Sequence, residues 1–400
     1  MKSRIPRNTQ NTAPDHASTV KADVQLVRGG IDYFDQLLQI INNANTELHL
    51  QTYIFDEDET GQAVIAALKA AAMRNVRVVV MFDAFGGSLS RATMRSLSAA
   101  GVAVRVFAPW LSWHSLHLGR RLHHKVVVAD GTVALIGGIN IADKYRGSST
   151  QAAWLDYAIR IESATIAQRL AQLCQALYGR RNYFRGQRIT APLQEADSAV
   201  TILINDWLLK RNEIYRAHRR EIRNAKREII IVGTYFLPGR RLTNALKLAA
   251  KRGVRVQLIL SGITDVPLLR RATLYLYNQL LRSNLVLYEW PNSVLHGKAA
   301  VVDRVWTTVG SFNLNQLSAY GSIEMNVEVH SPAFAEVAAA DFQEVIARCI
   351  PITSDTLRMR ESRIQKLYNW FAYHIVRTSL LLLTFTSYKR FWGLSARAKE

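Results

Sequence analysis

Cysteine is nearly missing. Cys174 and Cys349 are the only two in 400 residues, and each lies inside a stretch with helical spacing. That excludes a disulfide framework and a cysteine-built metal site, and it fits a reducing compartment. Long apolar runs are missing too: no uncharged apolar stretch reaches the roughly 18 residues that a bilayer span needs. The N-terminus carries Lys2, Arg4 and Arg7 with no apolar core after them, so it does not read as a secretory signal. Acidic residues are scarce, 31 Asp and Glu against 51 Lys and Arg, for a net charge of +20. Such a surplus favours an anionic partner, either nucleic acid or an acidic membrane surface, and composition by itself does not choose. No cluster of His or carboxylates has metal-ligand spacing, so neither a metal nor a cofactor is expected.

What is present is regular. Hydrophobic residues make up 49% of the chain, enough for two or three domains with large cores. Residues 1–23 are polar and read as a disordered tail. Beyond them, helical spacing over 31–43 and 62–74 alternates with strand patterns over 47–55 and 76–82. The second half repeats this, with helices over 216–226 and 242–252 and strands over 228–232 and 254–260. The repeat is visible in letters: Ala-Leu-Lys-Ala-Ala-Ala-Met-Arg-Asn-Val-Arg-Val from Ala67 matches Ala-Leu-Lys-Leu-Ala-Ala-Lys-Arg-Gly-Val-Arg-Val from Ala245, 178 positions later. The chain is therefore a duplication of one α/β unit, at a period too long for a solenoid. Alternating strands and helices predict mostly parallel sheets covered on both faces. The expected division is one unit over 24–179, a linker over 180–199, a second unit over 200–345 and a helical segment over 346–400.

One short stretch occurs in both units. The first copy is His123-His124-Lys125, with Asp130 and then Gly137-Gly138-Ile139-Asn140. The second is His296-Gly297-Lys298, with Asp303 and then Gly310-Ser311-Phe312-Asn313. In both, Lys follows His by two positions, Asp by seven and Asn by seventeen. A single copy would be an ordinary strand with polar ends. The doubled set demands a common cause. The run after each Lys is apolar and β-branched, as in a buried strand. Side chains two apart on a strand share a face, so each copy offers one imidazole and one fixed cation at a common surface. Small residues before each Asn let a ligand approach the backbone.

The doubled motif resembles the phospholipase D superfamily. The segments Tyr235-Phe236-Leu237-Pro238-Gly239, Leu295-His296-Gly297-Lys298 and Gly310-Ser311-Phe312-Asn313-Leu314 resemble bacterial cardiolipin synthases, most of all the B-type, over residues 24–345. The resemblance implies two phospholipase D-like α/β/α sandwich domains with the active site at their pseudo-two-fold interface. It implies His123 as nucleophile and His296 as acid/base, with Lys125, Lys298, Asn140, Asn313 and Ser311 on the phosphate. Each histidine is expected to be oriented by an acid downstream of the Asn, and Asp156 and Glu324 are the positional matches. Asp130 and Asp303 belong to the catalytic motif, yet they lie five residues beyond Lys and are expected to hold a turn or join the halves. Gly138 stands where the family usually has Ser or Thr, which removes a hydroxyl donor.

A histidine nucleophile would split phosphodiester exchange into two steps through a phosphohistidine. The leading expectation is transfer of a phosphatidyl group to phosphatidylglycerol, from phosphatidylglycerol or phosphatidylethanolamine. The alternative is a phospholipase or nuclease with water as acceptor, and an inactive membrane scaffold is a third. Two further stretches favour lipid over nucleic acid. Residues 107–121 mix Trp110, Trp113, His114 and Leu116 with Arg120 and Arg121, which would suit a membrane-facing lip. Residues 367–388 are apolar, broken by His374 and Arg377 and followed by Lys389 and Arg390. They read as an interfacial helix, or else one docked on the protein's own core. The expected location is the cytoplasmic face of a bacterial inner membrane, held peripherally.

Overall fold

The computed structural model describes residues 21–108, 120–179, 189–206, 209, 211–315, 318–319 and 321–396, with side chains as far as 380. Helix Ile31–Asn43 forms as its spacing predicts, and it buries Tyr33, Phe34, Leu37, Ile40 and Ile41 along one stripe. Helix Glu59–Met73 starts where the Asp58 side chain accepts from the N–H of Gly61. Both cover the outer face of the first sheet, against Leu48, Leu50, Val78, Val80 and Val127.

Among the described residues the first sheet has seven strands and the second eleven. The first runs Asp23–Arg28, Tyr157–Glu162, Val133–Gly137, Lys125–Ala129, Glu47–Thr52, Arg77–Asp83, Ala103–Phe107. The corresponding strands of the second are Ala199–Asp206, Ser322–His330, Trp306–Gly310, Lys298–Val302, Glu228–Gly233, Arg255–Ile263 and Val286–Val294. The expectation of mostly parallel sheets is corrected here: both are mixed. Only the last three strands of each series pair in parallel, where helices supply the crossovers. The motif strands Lys125–Ala129 and Lys298–Val302 each turn back after three residues, and a loop that short permits only antiparallel pairing. Strand Ile189–Pro192 lies inside the expected linker and pairs with the edge of Ala199–Asp206.

The turns explain the two motif aspartates. Asp130 and Asp303 both have φ of 52°, and each ends its motif strand far from the histidine. The Asp130 carboxylate accepts from the backbone N–H of Asn45, Thr46 and Glu47 at 2.8–3.0 Å. Asp303 does the same for Lys226, Arg227 and Glu228. Each clips its hairpin to the neighbouring strand of its own half. Their inclusion among the catalytic residues is therefore corrected, and they do not join the halves.

The two sheets face each other across a shared core. Helices Ala164–Tyr178 and Pro332–Ala347 pack there among Val126, Ile136 and Ile159 of one half and Ile202, Val301 and Val327 of the other. The halves also exchange backbone bonds. Strand Arg121–Leu122 adds in parallel to Ser322–Ile323 of the second sheet. The Leu155 carbonyl accepts from the N–H of both His296, at 2.8 Å, and Gly297, at 2.9 Å.

Helix Arg363–Ala396 docks on helix Pro267–Leu281. Asn369, Ala372 and Val376 are buried, and the rings of Tyr373 and Tyr275 stand 4.7 Å apart. The opposite face remains apolar and exposed: Ile364, Leu367, Tyr368, Phe371 and Ile375. The helix is thus docked on the protein's own core while its outward stripe is apolar too. Among the described residues no helix is long and apolar enough to cross a membrane. Of the expected membrane-facing lip, Trp110, Trp113, His114 and Leu116 lie outside the described residues. Arg120 is ion-paired with Asp206 and Arg121 with Asp83.

Candidate active site

The motif strands enter the seam side by side, and their first residues meet. His123 precedes Lys125–Ala129, and its backbone N–H donates to the Ile323 carbonyl of the other half at 3.0 Å. His296 precedes Lys298–Val302 and hangs from Leu155, as described. Strand alternation then turns Lys125 and Lys298 to the same surface. Both ammoniums return to their own histidine: Lys125 Nζ donates to the His123 carbonyl at 2.5 Å, and Lys298 Nζ to that of His296.

The orienting acids cross the seam. His123 Nδ1 lies 2.9 Å from a carboxylate oxygen of Glu324, and His296 Nδ1 lies 2.6 Å from one of Asp156. Each histidine is thus held by the half it does not belong to. With Nδ1 donating to a carboxylate, Nε2 of each ring is left to face a ligand. Both acids are fully buried. The His123 side chain keeps 16% of its surface exposed and that of His296 only 7%.

Burial dominates the electrostatics. It holds His123 below its ordinary value, with Glu324 opposing and Lys125 adding to the depression. Burial, then Lys298 and Lys125, hold His296 lower still, while Asp265 opposes. Burial pushes Asp156 up to about 6. It brings Lys125 down to about 7 and Lys298 to about 8. Groups so displaced, converging in one seam, are the usual signature of a chemical site.

The structure alters the expected phosphate ligands. Ser311 is fully buried and donates its hydroxyl to Glu324, while accepting from the N–H of Met325 at 3.1 Å. Its assignment to phosphate is corrected: it fixes the acid that orients His123. Asn140 is engaged inside the first half, accepting from the N–H of Ile54 at 3.0 Å and donating to the Tyr145 hydroxyl at 2.7 Å. Asn313 differs. Its side-chain oxygen is buried without a partner among the described residues, and its side-chain N–H₂ makes no hydrogen bond to another described residue, so that N–H₂ is left to donate to a ligand.

Gly138 also gains a reason. A Cβ there would stand 2.4 Å from an Asp156 oxygen. One half uses a short acid with a glycine making room. The other uses a longer acid, Glu324, with the Ser311 hydroxyl steadying it. The hydroxyl absent at Gly138 is replaced by the carboxylate itself.

Aromatic walls were missed from the sequence. Tyr53 lies edge-on to His123 at 4.9 Å, and Lys125 Nζ stands 5.4 Å over the Tyr53 ring. Tyr145, Trp154 and Tyr235 surround His296 at 5.2, 5.8 and 6.5 Å. A signal existed. Thr52-Tyr53 and Thr234-Tyr235 recur after the equivalent strands, and Trp154 lies two residues before Asp156. The rings dry the imidazoles and limit their rotation.

Two histidines, two lysines and two crossed acids at the seam of a duplicated α/β fold define a phospholipase D-type phosphodiester site. The family model described as "Cardiolipin synthase, PLD-like domain" matches residues 37–178 and 219–346. Cardiolipin synthase B of Escherichia coli (strain K12) is 33% identical over 361 residues, covering 88% of this chain and 87% of that protein. The minor cardiolipin synthase ClsB of Bacillus subtilis (strain 168) is 27% identical over 356 residues, covering 88% of each. Among solved structures, phosphatidylserine synthase from Haemophilus influenzae Rd KW20 superimposes with a TM-score of 0.70 at 15% identity, over 90% of this chain and 95% of that one. The chain belongs to the phospholipase D-like cardiolipin synthase family.

The tight fit at Gly138 has a measurable consequence. Gly138→Ser should displace Asp156 from His296 and destabilise the protein by about 1–3 kcal/mol through overpacking. The low-field proton resonance of the His296 Nδ1–H···carboxylate bond should vanish while that of His123 stays. An unchanged melting temperature with both resonances intact would refute the steric account.

Proposed function

We propose that this enzyme makes cardiolipin, by moving a phosphatidyl group from one phospholipid to the terminal hydroxyl of phosphatidylglycerol. The observation that carries this reading is the reciprocal crossing of acids onto histidines, with both lysines buried at the same seam. Phosphatidylglycerol, or phosphatidylethanolamine as an alternative donor, brings its phosphodiester between the two imidazoles. Lys125 and Lys298 neutralise the nonbridging oxygens as charge develops, and the Asn313 N–H₂ donates to them. His123 Nε2 attacks phosphorus, and the bond to the headgroup oxygen breaks. That oxygen takes a proton from His296 Nε2. The acceptor hydroxyl then returns a proton to His296 and attacks the phosphohistidine, which frees His123. Glu324 and Asp156 keep each ring in one tautomer and stabilise its positive forms.

The greater openness of His123 favours it as nucleophile, since it must carry a bulky phosphatidyl group. Burial lowers the proton affinity of both rings, which leaves His123 Nε2 unprotonated near neutrality, and His296 takes up its proton when the phosphodiester anion arrives beside it. The deeper burial of His296 among aromatic rings suits a group that moves only protons. The enzyme would work from the cytoplasmic face of the bacterial inner membrane, held peripherally. The exposed stripe Ile364, Leu367, Tyr368, Phe371 and Ile375 supports that attachment, aided by the basic surplus of the chain.

Lipid mass spectrometry of cells expressing the wild type or His123→Ala tests the function directly. Cardiolipin should rise with the wild type and not with the variant. With a nitrophenyl phosphodiester, His296→Ala should accumulate phosphohistidine on His123, because a good leaving group needs no proton and only the second step stalls. Phosphatidic acid as the sole product, or label on His296, would overturn the acceptor or the assignment respectively.

The lysines set an alkaline limit. Their charge is present below their pKa values of about 7 and about 8, and is lost as pH rises through them. Since kcat/KM reports the free enzyme, it should fall between about pH 7 and pH 9. A profile flat to about pH 10, where an unperturbed lysine titrates, would refute the role given to burial.

Replacing Leu367 and Phe371 together by Glu should weaken sedimentation with phosphatidylglycerol vesicles by about tenfold or more. Because both side chains face away from the docked side, the melting temperature should hold. Unchanged sedimentation would remove this helix from the membrane contact.

A further inference from the structure

The two halves are not equivalent around their histidines, and the difference gives the site a direction. Beside His296 opens a shallow cleft, lined by Thr234, Tyr235, Ser261, Thr264, Asp265 and Arg270 among others. It sits beyond the carboxyl ends of strands Glu228–Gly233 and Arg255–Ile263, where α/β folds usually bind ligands. Most of its polar groups are already engaged. Arg270 is bound to Glu289 and the Tyr277 hydroxyl. Ser261 Oγ accepts from the N–H of Leu295 and donates to the Ile263 carbonyl.

Asp265 is the exception. One carboxylate oxygen accepts from the Tyr235 hydroxyl at 2.5 Å. Among the described residues Asp265 has no other hydrogen-bond partner and no ion pair, and it is exposed. Its charge reaches His296 and Lys298 and favours the protonated form of each. Tyr235, which holds it, has φ of 45°, a left-handed conformation uncommon for a tyrosine. Strain of that kind persists where the surroundings enforce it, and it gathers at functional sites.

The first half has no acid at the matching position. Strands Glu47–Thr52 and Arg77–Asp83 pair with Glu47 opposite Arg77, as Glu228 stands opposite Arg255. Counting on from those arginines, Gly87 occupies the position of Asp265. On that side Asp83 is fully buried, ion-paired with Arg121 and bound to the N–H of Leu122 at 2.8 Å, so it can offer nothing to a ligand, and the half-buried Asp56 accepts from the Ser88 hydroxyl at 2.8 Å.

An unpaired carboxylate repels a phosphodiester anion, so Asp265 does not help hold the donor phosphate. It accepts hydrogen bonds well from neutral hydroxyls. A glycerol headgroup carries two adjacent hydroxyls, one to react at His296 and one free. We infer that Asp265, held by Tyr235, forms a polyol subsite on the His296 side, which grips the free hydroxyl of the glycerol headgroup while His296 exchanges a proton with its neighbour. This rests on the transferase reading above. By microscopic reversibility the same subsite holds glycerol as it leaves a phosphatidylglycerol donor and the acceptor headgroup as it arrives. The His123 side, with Gly87 at the position matching Asp265, is left to the phosphatidyl group.

Soluble alcohols test this without any change of lipid. The full-length protein is given phosphatidylglycerol vesicles with equal concentrations of deuterated glycerol and 1-propanol, which lacks the second hydroxyl. Mass spectrometry reads the ratio of deuterated phosphatidylglycerol to phosphatidylpropanol. The wild type should favour glycerol by about tenfold or more, the effect of one hydrogen bond to a charged group. In Asp265→Asn the ratio should approach unity. Tyr235→Phe should shift it in the same direction by less, and Asp265→Glu should retain part of the preference. A ratio is read from any residual turnover, so partial loss of folded protein does not hide the answer. An Asp265→Asn ratio equal to that of the wild type would overturn the inference. So would a wild type that prefers ethanolamine to glycerol when ethanolamine replaces 1-propanol in the mixture, since the carboxylate would then be serving a cation. Formation of phosphatidic acid alone, with neither alcohol taken up, would instead overturn the transferase reading itself.

Discussion

Two lysines and two carboxylates are buried at one seam, and the rest of the molecule is arranged to keep them there. Removing each such ion from water costs several kcal/mol, and their mutual attraction offsets that only if the geometry is held firmly. Lys125, Lys298, Asp156 and Glu324 all have almost no exposed surface. The rigidity comes from outside the site. Central helices Ala164–Tyr178 and Pro332–Ala347 fill the space between the sheets, and the Leu155 carbonyl fixes the start of the second motif strand. The clips at Asp130 and Asp303 keep the far ends of the same strands from sliding. A motif of His, Lys and Asp is thus two machines in one stretch: chemistry at one end and mechanical anchorage at the other.

Pseudo-symmetry gives the site its framework, and departures from symmetry let one histidine differ from the other. Asp156 with Gly138 and Glu324 with Ser311 are two solutions to the same distance problem. Among the described residues His123 lies against one aromatic ring, whereas His296 is enclosed by three. A symmetric pair could not tell a nucleophile from a proton carrier. These differences in burial and in neighbouring charge are what separate the two roles proposed here.

Much of this was legible in the sequence because it rests on local patterns. The helix over Ile31–Asn43 follows from apolar spacing, and the duplication follows from letters alone. The motif located His123, Lys125, His296 and Lys298 correctly at a common surface. What the sequence hid was non-local. Asp156 lies 140 residues from the histidine it binds, and Glu324 lies 201 from its own. Position after each Asn identified both acids, but nothing local told which histidine each would meet. Ser311 was misread for a similar reason, since its partner Glu324 is supplied by the next strand. The mixed sheets were missed because strand and helix alternation dominates the count, while the three-residue turns at Asp130 and Asp303 decide the pairing around the site.

The crossed acids also bear on how this enzyme comes into being. A nascent chain leaves the ribosome N-terminus first, at about 5–20 residues per second. His123 emerges long before Glu324, and the core that both halves share cannot close until strand Ser322–His330 arrives to pair with its neighbours. Until then the His123 imidazole has no acid to fix its tautomer, and only helix Ala164–Tyr178 covers the inner face of the first sheet. The full set of crossed pairs therefore arrives late and all at once, when the second half docks, and a chain cut short before Ser322 never completes it.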